Sequence, residues 1–419
     1  MRILIVLNHY GNFATEGEAQ VAQDEFELLR SHGHIVSKYE ATNAEIEELS
    51  LAGKCQSLFQ VGWSKTGYER IKAAIDTFRP DLMHVHNYWF RLTPSVFAAA
   101  KERGVATVMS LQNFRLVCPA SVFLREGKPC ELCMDGKASR ILIHRCYPGG
   151  SWLKSLLAYR LYQETRKRQF LASLVDAYIA PTEFGRQKVL AGGLPPEKLY
   201  VKPNFMFDPL NGSTPTTPVE GAIYVGRLSP EKGVLGLLEA WQNIDYPLTI
   251  VGDGPQMAEA RRAGGSQVKF LGNRSHDDVP RLIEKSAFLV FPSEWYEGFG
   301  LTLIESMAVG RAVIATDLGS RREIVRDGQT GLLYRSRDMQ DLTSKVRRLI
   351  SDRNLCATMG AAAREVYLAE YTPATNYETL IRIYEEAIDR NSRHARGYAD
   401  TLSGSDAGEP EQSPELRVV

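Results

Sequence analysis

The sequence predicts an α/β protein built of two Rossmann-like domains that face each other across a cleft. Three observations predict it. Short apolar runs alternate with amphipathic stretches along the chain, the pattern of parallel sheets covered by helices. At 419 residues the chain is too long for one ordinary core. The composition breaks once, at 204–219, and the same alternation then begins again.

In the first domain, set at 1–203, Ile3–Leu7 reads as a strand that ends at Asn8-His9-Tyr10-Gly11. Ala19–Arg30 reads as a helix, with Val21, Phe26, Leu28 and Leu29 among its apolar positions. His34–Ser37, Asp81–Val85 and Ala106–Leu111 read as strands, with a helix over Pro94–Arg103 between the last two. Ala177–Ala180 precedes a helix opened by Thr182-Glu183, and Leu199–Lys202 closes the unit. The stretch 204–219 holds Pro209, Asn211, Gly212, Ser213, Pro215 and Pro218 and reads as a linker.

The second domain is set at 220–372, with strands at Ala222–Val225, Leu248–Val251, Val268–Leu271, Ala287–Phe291 and Ala312–Ile314. A C-terminal helix over Tyr377–Ile388 lies within 373–391. The polar residues 392–419 read as a disordered tail. In open α/β sheets ligands bind beyond the carboxyl ends of the strands, so two facing domains place a cleft there.

The bulk numbers exclude some functions. Hydrophobic residues make up 44% and charged residues 24%, which are globular proportions. The formal net charge is zero, so nothing points to nucleic acid. No apolar run reaches the ~18 residues of a membrane helix. Met1-Arg2 and the apolar run behind it resemble a secretory leader, but the run stops at Asn8 without a cleavage site and reads as a strand. A cytoplasmic protein is expected.

Chemistry concentrates where the strands of the second domain end. Gly226-Arg227-Leu228-Ser229-Pro230-Glu231-Lys232-Gly233 follows directly on Val225. Arg227 offers a planar fork of donors and Lys232 a compact cation, and two cations at a strand-to-helix turn suit a diphosphate. Solvated charges on an ordinary loop fit that segment equally when it stands alone. A second segment, Pro292-Ser293-Glu294-Trp295-Tyr296-Glu297-Gly298-Phe299-Gly300-Leu301-Thr302-Leu303-Ile304-Glu305, follows the run Phe288–Phe291. Glu305 falls about a turn inside the helix that follows, where a carboxylate can accept from both hydroxyls of a ribose. Glu297, ahead of the Gly298-Phe299-Gly300 turn, faces the sugar.

Together these segments resemble the family 4 (group 1) glycosyltransferases of the GT-B fold, which carry a Gly-Arg-x-x-x-x-Lys-Gly loop and two Glu residues separated by seven others. Val251-Gly252-Asp253-Gly254-Pro255 and Pro292-Ser293 match the family pattern as well. The resemblance implies retaining transfer of a sugar from a UDP- or GDP-type donor to a glycan or lipid-linked acceptor, in bacterial surface polysaccharide or glycolipid synthesis. By the same resemblance Arg227 and Lys232 neutralise the leaving diphosphate, Glu297 contacts the transferred sugar and Glu305 holds the ribose. Gly17, Gly226, Gly252, Gly254, Gly298, Phe299, Gly300 and Leu301 complete the implied donor site. Preplaced cations stabilise the departing charge, and the sequence has no Asp-x-Asp, so no cofactor is expected for catalysis.

The first domain departs from its relatives. Where they have a Gly-Gly pair, this chain has Glu16-Gly17, so only Gly17 carries over. His86 resembles a cleft histidine of the family, whereas His84 reads as a buried residue. Gln112 stands where many relatives have His and cannot act as a base. A front-face mechanism, in which the departing phosphate takes the acceptor's proton, tolerates that loss.

The stretch 113–150 is long for a connection and contains Cys118, Cys130, Cys133 and Cys146. Such a set resembles a structural zinc site, though four free thiols or a Cys130/Cys133 redox pair fit as well. Cys55 and Cys356 stand alone as small apolar residues. Trp152–Leu174 reads as a helix in which Lys154, Arg160, Arg166, Lys167 and Arg168 interleave with Trp152, Tyr159, Tyr162 and Phe170. It can dock on an anionic membrane or pack half-solvated on its own sheet.

The rival functions are a catalytically silent nucleotide-sugar binder, which the changes at Glu16 and Gln112 suggest, and a GT-B sugar epimerase, which needs no acceptor. No lysine segment of a phosphorylase is recognisable. A dinucleotide oxidoreductase is disfavoured because no Gly-x-Gly-x-x-Gly follows either opening strand.

Overall fold

Parallel strands covered on both faces are buried on both faces, and the apolar runs of this chain become such strands. The computed structural model describes residues 1–10, 17–47, 62–147, 150–167, 173–216 and 220–403. Gly11, Glu16, Cys55, Arg168, Phe170, Pro218 and residues beyond 403 lie outside them.

The first sheet comprises β1 (Arg2–His9), β2 (Ile35–Thr42), β3 (Leu82–Val85) and β4 (Ala106–Ser110), and further along the chain β7 (Ala177–Ala180) and β8 (Leu199–Val201). Between them β5 (Leu124–Arg125) and β6 (Lys128–Pro129) form a separate antiparallel hairpin. The sheet order is β2-β1-β3-β4-β7-β8, all parallel. The second sheet comprises β9 (Ala222–Val225), β10 (Leu248–Val251), β11 (Val268–Gly272), β12 (Phe288–Phe291), β13 (Ala312–Thr316) and β14 (Gly331–Tyr334). Its order is β11-β10-β9-β12-β13-β14, again parallel. The order reverses between β9 and β12, and such a switch point opens a crevice at the carboxyl ends.

Local chemistry sets the helix starts. Ser64 caps Lys65–Phe78 by accepting from Gly67 N at 2.9 Å. Thr182 caps Glu183–Ala191, and Asp338 and Asp352 cap Met339–Ser351 and Arg353–Glu370. Such caps satisfy amide donors that the helix itself leaves open. The linker is pinned by Asp208, which accepts two bonds from Arg364 at 2.7 and 2.8 Å.

The closing helix spans Pro373–Ser403 and runs past the boundary at 391 drawn from composition. It returns to the first domain. Leu380, Ile383, Tyr384 and Ala387 are buried with Ile3, Ile5, Leu82, Val108 and Ile179 of the first sheet. The apolar stripe of that helix thus ties the two ends of the chain together.

Candidate functional site

A cleft of about 1140 Å³ lies between the two sheets. Its second-domain side is built from three loops at the switch point. Gly226–Lys232 follows β9, Gly252–Gly254 follows β10, and Pro292–Gly300 follows β12. The first two loops touch backbone to backbone: Gly226 N donates to Val251 O at 3.0 Å and Leu228 N to Asp253 O at 2.9 Å. A Cβ on Gly252, whose φ is +129°, would meet Gly226 O at 2.0 Å. Only glycine fits there. Arg227, which is exposed, and Lys232 both line the cleft from the first of these loops.

Lys232 Nζ donates to Glu297 Oε1 at 2.7 Å, and Ser293 Oγ donates to the same oxygen at 2.5 Å. Burial pushes the Glu297 carboxyl up, but Lys232, Arg321 and Ser293 outweigh it and hold the group below the usual carboxylate range. Arg321 is fully buried beneath this loop, donating from Nε to Thr316 O at 3.2 Å and from Nη2 to Trp295 O at 2.9 Å. Ser320 Oγ donates to Glu297 O at 3.0 Å.

Gly300 ends the loop in the left-handed region, and the helix Leu301–Ala308 starts there with no side-chain cap. Its first amides are the kind of donors that receive anions. Glu305 lies 5% exposed on that helix, with His276 Nδ1 at 3.5 Å from Oε1. Burial, then the charge of Asp24 across the cleft, pushes the Glu305 carboxyl up to about 7. Two buried carboxyls of the same domain, Glu297 and Glu305, are thus pushed in opposite directions from the usual carboxylate range.

Arg227, Lys232, Glu297, Glu305, Gly17, Gly226, Gly252, Gly254, Gly298, Phe299, Gly300 and Leu301 all line this one cleft. Gln112 lines it as well, with its amide tied to Asn204 by two reciprocal bonds of 3.0 Å. That pairing makes Gln112 a brace between the end of β4 and the linker. Gly298 closes the cleft on this side, since a Cβ there would meet Gln112 O at 2.2 Å.

His86 does not reach the cleft, contrary to expectation. It is buried just past β3 with its Nε2 3.3 Å from Glu25 Oε2. The helix Gly17–Ser31 covers that strand end with Glu25, which explains the burial. His84 is buried too, held by Tyr384 at 2.7 Å and Ser110 at 2.9 Å. Glu25, His84 and His86 form the one group among the described residues whose metal-ligating atoms lie within 4.8 Å of one another. Lys202 Nζ already bonds Glu25 there at 2.8 Å and supplies the positive charge, so the cluster is a structural brace.

The histidine that does line the first domain's side is His9, at the carboxyl end of β1, near Glu40 at 3.5 Å. Glu18, which accepts from Asn113 Nδ2 at 2.7 Å, and His276 line the cleft as well. The position of His9 at a strand end was a readable signal. Arg321 carried none, because its role depends on a loop some twenty residues away.

The four cysteines of 113–150 lie outside the cleft, all free. They gather closely enough to act on one another: burial, then the neighbouring thiols, push Cys133 up to about 12 and Cys146 up to about 11. No described helix is long and apolar enough to cross a membrane.

Residues 216–366 match the family of glycosyl transferases group 1, and residues 51–204 match the glycosyl transferase 4-like domain. An uncharacterised glycosyltransferase of Methanocaldococcus jannaschii is 34% identical over 175 residues, covering 40% of this chain and 48% of that protein. An alpha-D-kanosaminyltransferase of Streptomyces kanamyceticus is 29% identical over 174 residues, 39% of this chain and 45% of that one. The matches thus span about half the length of these curated relatives. Anabaena HepE, solved with UDP and glucose, aligns with a TM-score of 0.64 at 18% identity over 90% of this chain and 98% of that one. Sucrose-phosphate synthase from Thermosynechococcus elongatus aligns with a TM-score of 0.62 at 18% identity over 97% and 100%. These likenesses establish the GT-B fold. With a glycosyltransferase domain matched in each half, the chain belongs to the group 1 glycosyltransferases.

Proposed function

We propose that this protein is a retaining glycosyltransferase that moves a sugar from a UDP- or GDP-type donor to a hydroxyl of a glycan or lipid-linked acceptor. The observation that carries the reading is the Lys232–Glu297 pair, set in one cleft with Arg227 and Glu305. Solved relatives of the same fold hold UDP and UDP-glucose, which supports a nucleotide sugar as donor.

In the proposed reaction the bond from the sugar's anomeric carbon to the diphosphate oxygen breaks. A new bond forms to the acceptor oxygen on the same face, and the acceptor's proton passes to the departing phosphate. Arg227, Lys232 and the first amides of Leu301–Ala308 stabilise the leaving charge. Glu297 holds the sugar's hydroxyls and favours a cationic ring, and Glu305 accepts from the ribose. No catalytic metal takes part in this scheme.

The acceptor and the setting follow as part of the same proposal: assembly of bacterial surface polysaccharide or glycolipid at the inner face of the cell membrane. The helix Trp152–Lys167 supports it, since its first turn exposes Trp152 at 53% and Leu153 at 50% beside Lys154. The short helix Arg140–His144 packs on it and leaves Ile143 76% exposed. Apolar side chains ringed by basic ones suit an anionic lipid surface.

A panel of labelled nucleotide sugars, scored for transfer and slow hydrolysis with Glu297→Gln as control, tests the reading. Turnover of one donor that the variant loses supports it. Nucleotide binding without turnover of any donor identifies a silent binder, and rearranged sugar without an acceptor identifies an epimerase.

A further inference from the structure

Between the end of β4 and the helix Trp152–Lys167, the described residues of 113–150 have little regular structure of their own. They have a hairpin of two-residue strands and the five-residue helix Arg140–His144. A hairpin of that size does not hold itself in water, and a loop of this length is costly to close without an anchor.

Its four cysteines are spaced Cys-x11-Cys-x2-Cys-x12-Cys. Cys118 is buried, and its sulfur receives backbone N–H groups of Ala120, Val122 and Phe123. Burial outweighs these amides and pushes the Cys118 thiol up, so the case for a site rests on where the four sulfurs stand. Cys130 is fastened to the same turn, its N–H donating to Phe123 O at 2.7 Å. Cys133 follows one short turn later. Arg145, in the left-handed region at φ 49°, then swings the chain so that Cys146 packs against the same apolar cluster as Cys118.

We infer that Cys118, Cys130, Cys133 and Cys146 bind one zinc ion, and that the ion fixes this segment as a clasp across the cleft. Four thiolates leave no open coordination position, which is the arrangement of a structural site. Each thiol releases its proton to solvent as its sulfur takes the ion. No three of the sulfurs lie within 4.8 Å of one another, whereas Zn–S bonds of ~2.3 Å in a tetrahedron space them roughly 3.8 Å apart. Binding therefore draws the four inward.

The clasp is the residue inside the Cys-x-x-Cys. Glu131 Oε1 accepts from Tyr296 Oη at 2.9 Å and pairs with Lys188 Nζ at 2.6 Å. Tyr296 is the residue next to Glu297. The ring of Phe123 meets the Tyr296 ring edge-on at 6.0 Å. At the tip of the hairpin, Gly127 lies against Arg337, whose Nη2 is 3.2 Å from Glu294 Oε2. The segment thus touches Tyr296 directly and reaches Glu294 through Arg337. An anchored Glu131 keeps Tyr296, and with it Glu297, in register with the first domain. This clasp rests on the proposal that Glu297 serves the reaction; the metal site does not.

The test uses the full chain, purified without a metal-binding tag. Metal analysis is expected to give about one zinc per chain, released to a chromogenic chelator only when the thiols are modified, and regained with zinc alone. Absence of zinc, iron in its place, or a Cys130–Cys133 disulfide overturns the site. Zinc-stripped chain that remains folded is expected to lose several-fold in donor turnover, and Tyr296→Phe to lose as much while retaining its zinc. Stripped chain with undiminished turnover overturns the clasp. A zinc-loaded chain that turns over no donor overturns the glycosyltransferase reading and leaves the metal site standing.

Discussion

Lys232 Nζ lies 2.7 Å from Glu297 Oε1, so the cation assigned to the leaving diphosphate is held by the carboxylate assigned to the sugar. A bound donor competes for that cation, and Glu297, 6% exposed, then depends on its other partners. Lys232→Ala is expected to lower turnover by about 10²–10³, the range for losing one preplaced stabiliser of developing charge. It also leaves a buried carboxylate short of a charged partner, at a cost of about 1–3 kcal/mol. Thermal unfolding checks this: Lys232→Ala with Glu297→Gln is expected to melt above Lys232→Ala alone.

Arg321 is the partner that stays. It is buried beneath the loop, and its charge helps keep Glu297 below the usual carboxylate range. Its loss raises the Glu297 pKa, so the carboxylate protonates at higher pH. The acid limb of the rate profile in Arg321→Gln is expected to move upward, with Arg321→Lys between it and the parent. The stability that Glu297 contributes has the same sign: it is present above its unfolded pKa and is lost as pH falls through the lower, folded value. A profile of donor turnover against pH reads the shift.

Glu305 behaves in the opposite way. Burial and Asp24 raise it to about 7, so in the empty cleft it favours the protonated state, and its contribution to stability falls as pH rises through that value. Only the ionised form accepts from both ribose hydroxyls. Nucleotide affinity is therefore expected to rise about tenfold between roughly pH 6 and 8, as the ionised fraction does for a pKa of about 7. Glu305→Gln is expected to flatten that dependence, leaving only the titration of the nucleotide's own phosphate. Calorimetry across this range measures both.

Gly298 sits where the donor loop meets the first domain, and a Cβ would clash with Gln112 O at 2.2 Å. The Gln112 carbonyl lies two residues past β4, with its side chain tied to Asn204, so Gly298→Ala is expected to part the two domains. Turnover is expected to fall by at least about tenfold, since a displacement of even ~1 Å can cost more. Nucleotide binding by the second domain is expected to survive. Small-angle scattering that shows no opening would count against this account.

Another contact of the same kind joins Glu323 to the amides of Glu183 and Phe184, at 2.8 and 2.5 Å. The carboxylate of the second domain thereby caps a helix of the first. Glu323→Ala is expected to cost about 1 kcal/mol, as the loss of a cap does, and to lower the unfolding temperature measurably.

Five strands of the second sheet were legible because apolar runs mark them, and Ala222–Val225 and Leu248–Val251 begin and end as the sequence suggests. β14 and the helices Lys65–Phe78, Met339–Ser351 and Arg353–Glu370 went unread, although Ser64, Asp338 and Asp352 supply their caps. The cleft-lining segments of the second domain were legible because each loop leaves the end of a strand. His86 stands there too, yet Glu25 arrives from another helix and covers it. Glu131 against Tyr296, Glu323 against Glu183, and the closing helix on the first sheet join residues more than a hundred positions apart. No local pattern of residues encodes such pairings.

The central claim is a donor diphosphate held by Arg227 and Lys232 with its ribose on Glu305. Calorimetric titration of UDP and GDP into the parent chain, Lys232→Ala and Glu305→Gln tests it most directly. The account predicts one site for one of the two nucleotides, weakened by 1–3 kcal/mol or about 10–100-fold in each variant. Equal affinity in all three chains, or no binding of either nucleotide by the parent, would contradict it.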